Sequence, residues 1–125
     1  MLRTAVLLTL TAACLTVFAG TALASRAAHP GERRAIAHAA RTSPYTQQVR
    51  GKFDVVHLRI STVDPHWAGA NLRPKKPYRR RFDTAQAAFH FAHGHWKLSA
   101  LGTADVGCVV HRAAVRHDLD LQCSS

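Results

Sequence analysis

Acidic side chains are scarce in this chain: seven Asp and Glu stand against seventeen Lys and Arg, and glutamate occurs once, at Glu32. A formal charge of +10 with histidines neutral favours contact with polyanions and says nothing about fold. No C-x-x-C pair, zinc-finger spacing, helix-turn-helix pattern or paired glycine loop is present, so the usual signatures of structural zinc, sequence-specific DNA reading and nucleotide binding are missing. No Ser/His/Asp or Cys/His arrangement is legible either, and there is no internal repeat. Long apolar runs are confined to the first two dozen residues.

That opening segment has the three parts of an export signal. Arg3 supplies a charged start, and Val6, Leu7, Leu8, Leu10, Leu15, Val17 and Phe18 an apolar body. Ala22 and Ala24 form an A-x-A cleavage site. Residues 1–24 are therefore read as a signal peptide, with Ser25 the new N-terminus of a secreted or cell-envelope protein. An uncleaved anchor is the rival, since the stretch is just long enough to span a bilayer. A lipidated Cys14 fits poorly, because the residues before it lack the leading aliphatic and the apolar run continues past it. Cleavage leaves 101 residues at a formal charge of +9, enough for one modest core. It also leaves an even cysteine pair, Cys108 and Cys123, which in an oxidising compartment is most simply one disulfide.

Residues 25–30 read as a flexible leader and 31–125 as one domain. Pro30-Gly31-Glu32 opens a helix with Ala35, Ile36, Ala39 and Ala40 on one face, and Ser43-Pro44 ends it. A strand is expected from about Gln48 to Val63, with Val56, Leu58 and Ile60 on one side and Phe53, Val55 and Val63 on the other. A weaker strand over Trp67–Leu72, a strand over Thr84–Phe91, a turn at Gly94 and a return strand over His95–Leu101 follow. Ala113–Leu119 reads as a short helix. The fold class is α+β: an N-terminal helix laid on a three- to four-stranded antiparallel meander, cystatin-like, with a short C-terminal helix stapled by the disulfide.

Four landmarks carry a resemblance: Val56-His57-Leu58-Arg59-Ile60-Ser61-Thr62-Val63-Asp64-Pro65-His66-Trp67-Ala68, Gly94-His95-Trp96-Lys97-Leu98, Gly102 through Cys108, and Asp118-Leu119-Asp120-Leu121-Gln122-Cys123. By their order and spacing the chain resembles a group of small secreted actinobacterial proteins of unassigned function. The resemblance implies an exported helix-plus-sheet domain with a C-terminal disulfide, and no catalytic residues.

The candidate site is the run Arg73-Pro74-Lys75-Lys76-Pro77-Tyr78-Arg79-Arg80-Arg81, which places six cations in nine residues and two prolines that favour an extended loop. Arg73, Lys75, Lys76, Arg79, Arg80 and Arg81 can neutralise phosphates, and Tyr78 can stack on a base or sugar. The plainer reading is a solvated loop whose charges deter edge pairing of the sheet. Histidines offer a weaker candidate: His93 and His95 flank a hairpin tip, but H-x-x-H-x-H from His90 is not a recognised metal site. A ribonuclease-type reading needs a glutamate base, a histidine acid and an arginine, yet Glu32 is placed at the helix start rather than on the sheet. The expected protein is thus a non-catalytic, monomeric, secreted basic domain without cofactor that engages an anionic polymer or envelope component. A protein-interaction or inhibitor module and a small secreted hydrolase are the alternatives.

Overall fold

The computed structural model describes residues 24–124; residues 1–23, which hold Cys14 and nearly all of the expected export signal, and Ser125 lie outside the described residues. The order is β1 (Arg26–Ala27), α1 (Pro30–Thr42), β2 (Phe53–Ile60), β3 (Trp67–Pro74), β4 (Ala85–Ala92), β5 (His95–Gly102) and α2 (Ala113–Asp118). The strands form one antiparallel sheet in the order β1-β2-β3-β4-β5, so every strand lies beside its neighbour in the chain. β1 and β2 are joined through α1, and the later strands follow one another by direct connections without a crossover. One apolar cluster lies between α1 and the sheet, and a second between the sheet and the C-terminal segment.

The expected leader is not loose. Arg26 pairs with Ile60 and Ala27 with Arg59, giving the sheet a fifth strand beyond the three or four anticipated. Ser25 and Ala28 are buried, and Arg59 Nε donates to Ser25 Oγ at 3.1 Å. Arg26 forms a two-pronged ion pair with Glu32 at 2.8 and 2.9 Å, while the His29 N–H donates to the same carboxylate at 2.9 Å. Two residues are too few for a hydrophobic period to show, so these polar contacts fix the segment.

Glu32 therefore does three things at once: it ties β1, caps α1 and sits where the helix dipole favours negative charge. The Arg26 hydrogen bonds, opposed by partial burial and helped by the His29 N–H, hold its carboxyl down at about 2. A depressed carboxylate pKa stabilises the fold fully above the ordinary value near 4.5, and that stability is lost as pH falls through about 2. Discounted for solvent screening, the contribution is about 1 kcal/mol. Glu32→Gln should cost that much at neutral pH in denaturant titrations, and the gap from the parent should vanish near pH 2. A gap that persists there would mean that packing, not charge, is what the substitution removes.

α1 starts where the sequence places it, with Pro30 at its first turn, and its buried positions are Ile36 and Ala40. Beyond it a 3₁₀ turn runs over Pro44–Val49, where Thr46 is fully buried and its hydroxyl donates to the carbonyls of Ala40 and Ser43. The strand expected from Gln48 accordingly begins only at Phe53.

β2 carries a bulge between Val56 and Arg59, with His57 at φ 54°. The extra residue resets the alternation, so Phe53, Val55, Leu58 and Ile60 all join the helix-side cluster, instead of Phe53 and Val55 opposing Leu58 and Ile60. A second irregularity lies between β4 and β5, where Ala88 faces Ala100 but Phe89 faces Leu98. Leu98 consequently packs toward α1, whereas Ala100 packs on the opposite cluster.

The second face is covered by the chain after β5. Val106, Val110, Val115, Leu119 and Leu121 bury themselves against Ala88, with Trp67 and Ala100 at the margin. Gly69 leaves room for the Leu119 and Leu121 side chains, which would lie 3.4 Å from any Cβ added there. Cys108 and Cys123 are joined, with 4.9 Å between their Cα atoms. The Asp118 carboxylate reaches back to the β2–β3 turn, accepting from Ser61 Oγ at 2.8 Å and from the Thr62 N–H at 2.7 Å. The C-terminal segment thus fastens the first hairpin as well as the sheet face.

Candidate polyanion interface

The basic run joins β3 to β4, and its first two residues belong to β3 itself. Leu72 pairs with Ala85, and no β3–β4 pair follows, so the missing N–H of Pro74 falls where the ladder with β4 has ended. Lys75 then donates its N–H to the Lys52 carbonyl at 2.9 Å. Pro77 helps close a 3₁₀ turn over Lys76–Tyr78, with Tyr78 N–H to Lys75 O at 2.8 Å. The N–H groups of Arg81 and Phe82 both return to the Tyr78 carbonyl, at 2.9 and 3.2 Å. The loop is a compact double turn, not the extended segment that its prolines suggested.

This folding turns the cations outward. Arg73, Lys75, Lys76, Arg79, Arg80 and Arg81 are all exposed. Among the described residues the ion pairs are Arg26 with Glu32 and His66 with Asp64, so no loop cation is in direct contact with a carboxylate. Tyr78 is half-buried. Its ring stands 6.2 Å from that of Phe82, and the Lys52 ammonium lies 5.4 Å above its centroid. Lys52 thereby adds a cation to the interface that sequence reading had left out, and it occupies a ring face expected to be open for stacking. The signal that could have found it is register, since Lys52 precedes β2 directly opposite the loop's entry.

An open apolar cleft of about 200 Å³ lies at the base of the loop, with Tyr45, Phe53, Leu72, Phe82 and Leu101 in its wall. Tyr45 is 63% exposed at its rim. The arrangement is a mostly apolar hollow, with Asp83 in its lining, beside exposed positive charge.

The histidines are dispersed by comparison. His93 and Gly94, at φ 53° and 80°, form the β4–β5 turn, and the His95 Nδ1–H donates to the His93 carbonyl at 3.2 Å. His90 lies against Trp67 with ring centres 4.3 Å apart, and His66 bonds Asp64. Among the described residues no three His, Cys, Asp or Glu side chains converge on a point where a metal ion could sit. Glu32 is engaged with Arg26 and the α1 terminus, in the first turn of α1. No protein-family model, curated protein or solved structure was found to match the chain, so the reading of this interface rests on its own side chains.

Proposed function

We propose that this is an exported, non-catalytic domain that binds an anionic polymer of the cell envelope or its surroundings through the loop Arg73–Arg81 together with Lys52. The observation that carries the reading is the exposure of six loop cations without a carboxylate partner among the described residues. Unpaired exposed cations keep their counterion-releasing capacity, which is what phosphate or sulfate binding draws on. Export is supported by the signal-like residues 1–24 and by a disulfide, which persists in oxidising compartments. No helix among the described residues is long and apolar enough to cross a membrane. Strand, helix, then four sequential strands is an order consistent with a cystatin-like arrangement.

The test is retention of the mature protein on immobilised heparin, and titration of a fluorescent single-stranded oligonucleotide over a range of salt. Replacing Lys75, Lys76, Arg79, Arg80 and Arg81 with Ser should bring elution to far lower salt. The logarithmic salt slope should fall by about 0.7 for each phosphate that is no longer neutralised. Circular dichroism should be unchanged, because none of these side chains is buried. Unaltered retention and slope would refute the reading.

A further inference from the structure

Among the described residues, β5 ends the sheet on one side, and on the other β1 leaves most of the β2 edge without a strand partner. β1 covers only Arg59 and Ile60 of β2, and extending it along β2 toward Phe53 would take Ala28, His29 and then Pro30, where the chain turns into α1. Among the described residues, no strand lies outside Phe53–Val56. The register tells which backbone groups face outward. Lys75 N–H bonds Lys52 O, and the pairs Phe53–Pro74, Asp54–Arg73 and Val55–Leu72 follow in sequence. Because antiparallel pairs alternate, Asp54 bonds inward to β3, while Phe53 and Val55 turn their N–H and C=O groups to the open side. The His57 bulge ends this stretch, as bulges at sheet edges commonly do.

A groove of about 520 Å³ runs beside this edge, with α1 as its other wall. α1 contributes Arg33 and Arg41, both exposed and outside any ion pair among the described residues, and Lys75 closes one end. The acidic group in the lining, Asp54, stands opposite Arg73 and alternates away from Phe53 and Val55, which join the helix-side cluster. A ligand strand on this edge would therefore meet positive charge on its helix side. A second copy of the chain would bring the same arginines against themselves. We infer that the β2 edge takes up a short extended acidic peptide, which adds as a strand beside Phe53–Val56 with its carboxylates toward Arg33 and Arg41. The surface is independent of the basic loop except at Lys75.

The experiment uses a fluorescein-labelled, end-blocked octapeptide of alternating Thr and Glu, with a Thr–Lys peptide as comparison. The Thr–Glu peptide should bind, and hydrogen exchange at the Phe53 and Val55 amides should slow. Exchanging Arg33 and Arg41 together for Glu should weaken binding about tenfold. Val55→Pro removes an outward N–H without breaking the ladder to β3 and should abolish binding while circular dichroism is retained. A four-serine loop variant that keeps Lys75 and replaces Lys76, Arg79, Arg80 and Arg81 should still protect both amides, and the edge variants should still be held by heparin, so this inference and the loop reading fail separately. No binding by the parent protein, equal binding of the Thr–Lys peptide, loss of binding only in the loop variant, or dimerisation through this edge in sedimentation would each overturn it.

Discussion

Phe89→Ala is expected to cost about 4 kcal/mol, the largest effect of any single side chain in the domain. Phe89 is the largest side chain that is wholly buried, at the middle of β4 between Ala68 of β3 and Leu98 of β5. The cost of such a deletion is set by lost burial and by how far the surroundings collapse into the gap. Here they can collapse little. Five members of the same cluster, Ala28, Ala40, Ala68, Ala70 and Ala87, have methyl groups without rotamers with which to reach inward, which leaves any repacking to the larger ones, such as Ile36, Ile60 and Leu98. α1 is held to the sheet by Ile36 and Ala40, so moving the helix to close the hole would break its remaining packing. A domain of this size has roughly 5–15 kcal/mol in total, so the variant should lose a large share of its stability. Urea denaturation should show the midpoint falling by roughly a quarter to four-fifths, while Phe89→Leu loses only about 1 kcal/mol. A loss under about 1.5 kcal/mol for the alanine variant would mean that the larger side chains of the cluster repack into the gap.

The helix and the hairpins were legible because their signals are local. Pro30, Glu32 and Ser43-Pro44 mark the ends of α1, and Gly94 sits at the turn between two alternating segments. The faces of the strands were less legible, for a physical reason. An alternation argument carries a face assignment along a strand only while pairing is regular, and one inserted residue inverts everything beyond it. His57 does this in β2, and the irregularity opposite Ala88 and Phe89 does it in β5, where Leu98 and Ala100, two residues apart, face opposite ways. The five-stranded count was hidden because β1 is two residues long and is held by Arg26–Glu32 and Ser25–Arg59, contacts between residues without hydrophobic patterning.

The candidate interface was legible as composition and not as shape. Charge density at Arg73–Arg81 is visible in any window, and the structure places those cations outward. That the segment coils through the Tyr78 carbonyl, that Lys52 joins it, and that an apolar hollow lies beneath it all depend on strand register. The open β2 edge is a further step from sequence, since it follows from what fails to pair.

Removing the disulfide is the second large effect. Cys108 and Cys123 close a loop of 15 residues, for which the chain-entropy account gives about 3 kcal/mol at 25 °C. For about 100 residues that corresponds to a fall in Tm of some 12–24 °C. The native segment has its own reasons to stay in place. The Gly107 N–H bonds Gln122 O at 2.8 Å, and a Cβ on Gly107 would come within 2.8 Å of the Leu121 carbonyl oxygen, so the two backbones touch. The Asp105 carboxyl, held below its ordinary value chiefly by hydrogen bonding to the Ser124 backbone, lies beside the same junction. With that junction intact, the bridge stabilises mainly by restricting the unfolded chain. Cys108→Ser, Cys123→Ser and the double variant should then lose nearly the same amount, and heparin retention of the folded protein should not change. If the single variants differ by more than about 1 kcal/mol, specific native interactions of one cysteine outweigh the loop closure they share. If reduction leaves Tm unmoved, packing of Val110, Val115, Leu119 and Leu121 on the sheet is sufficient by itself.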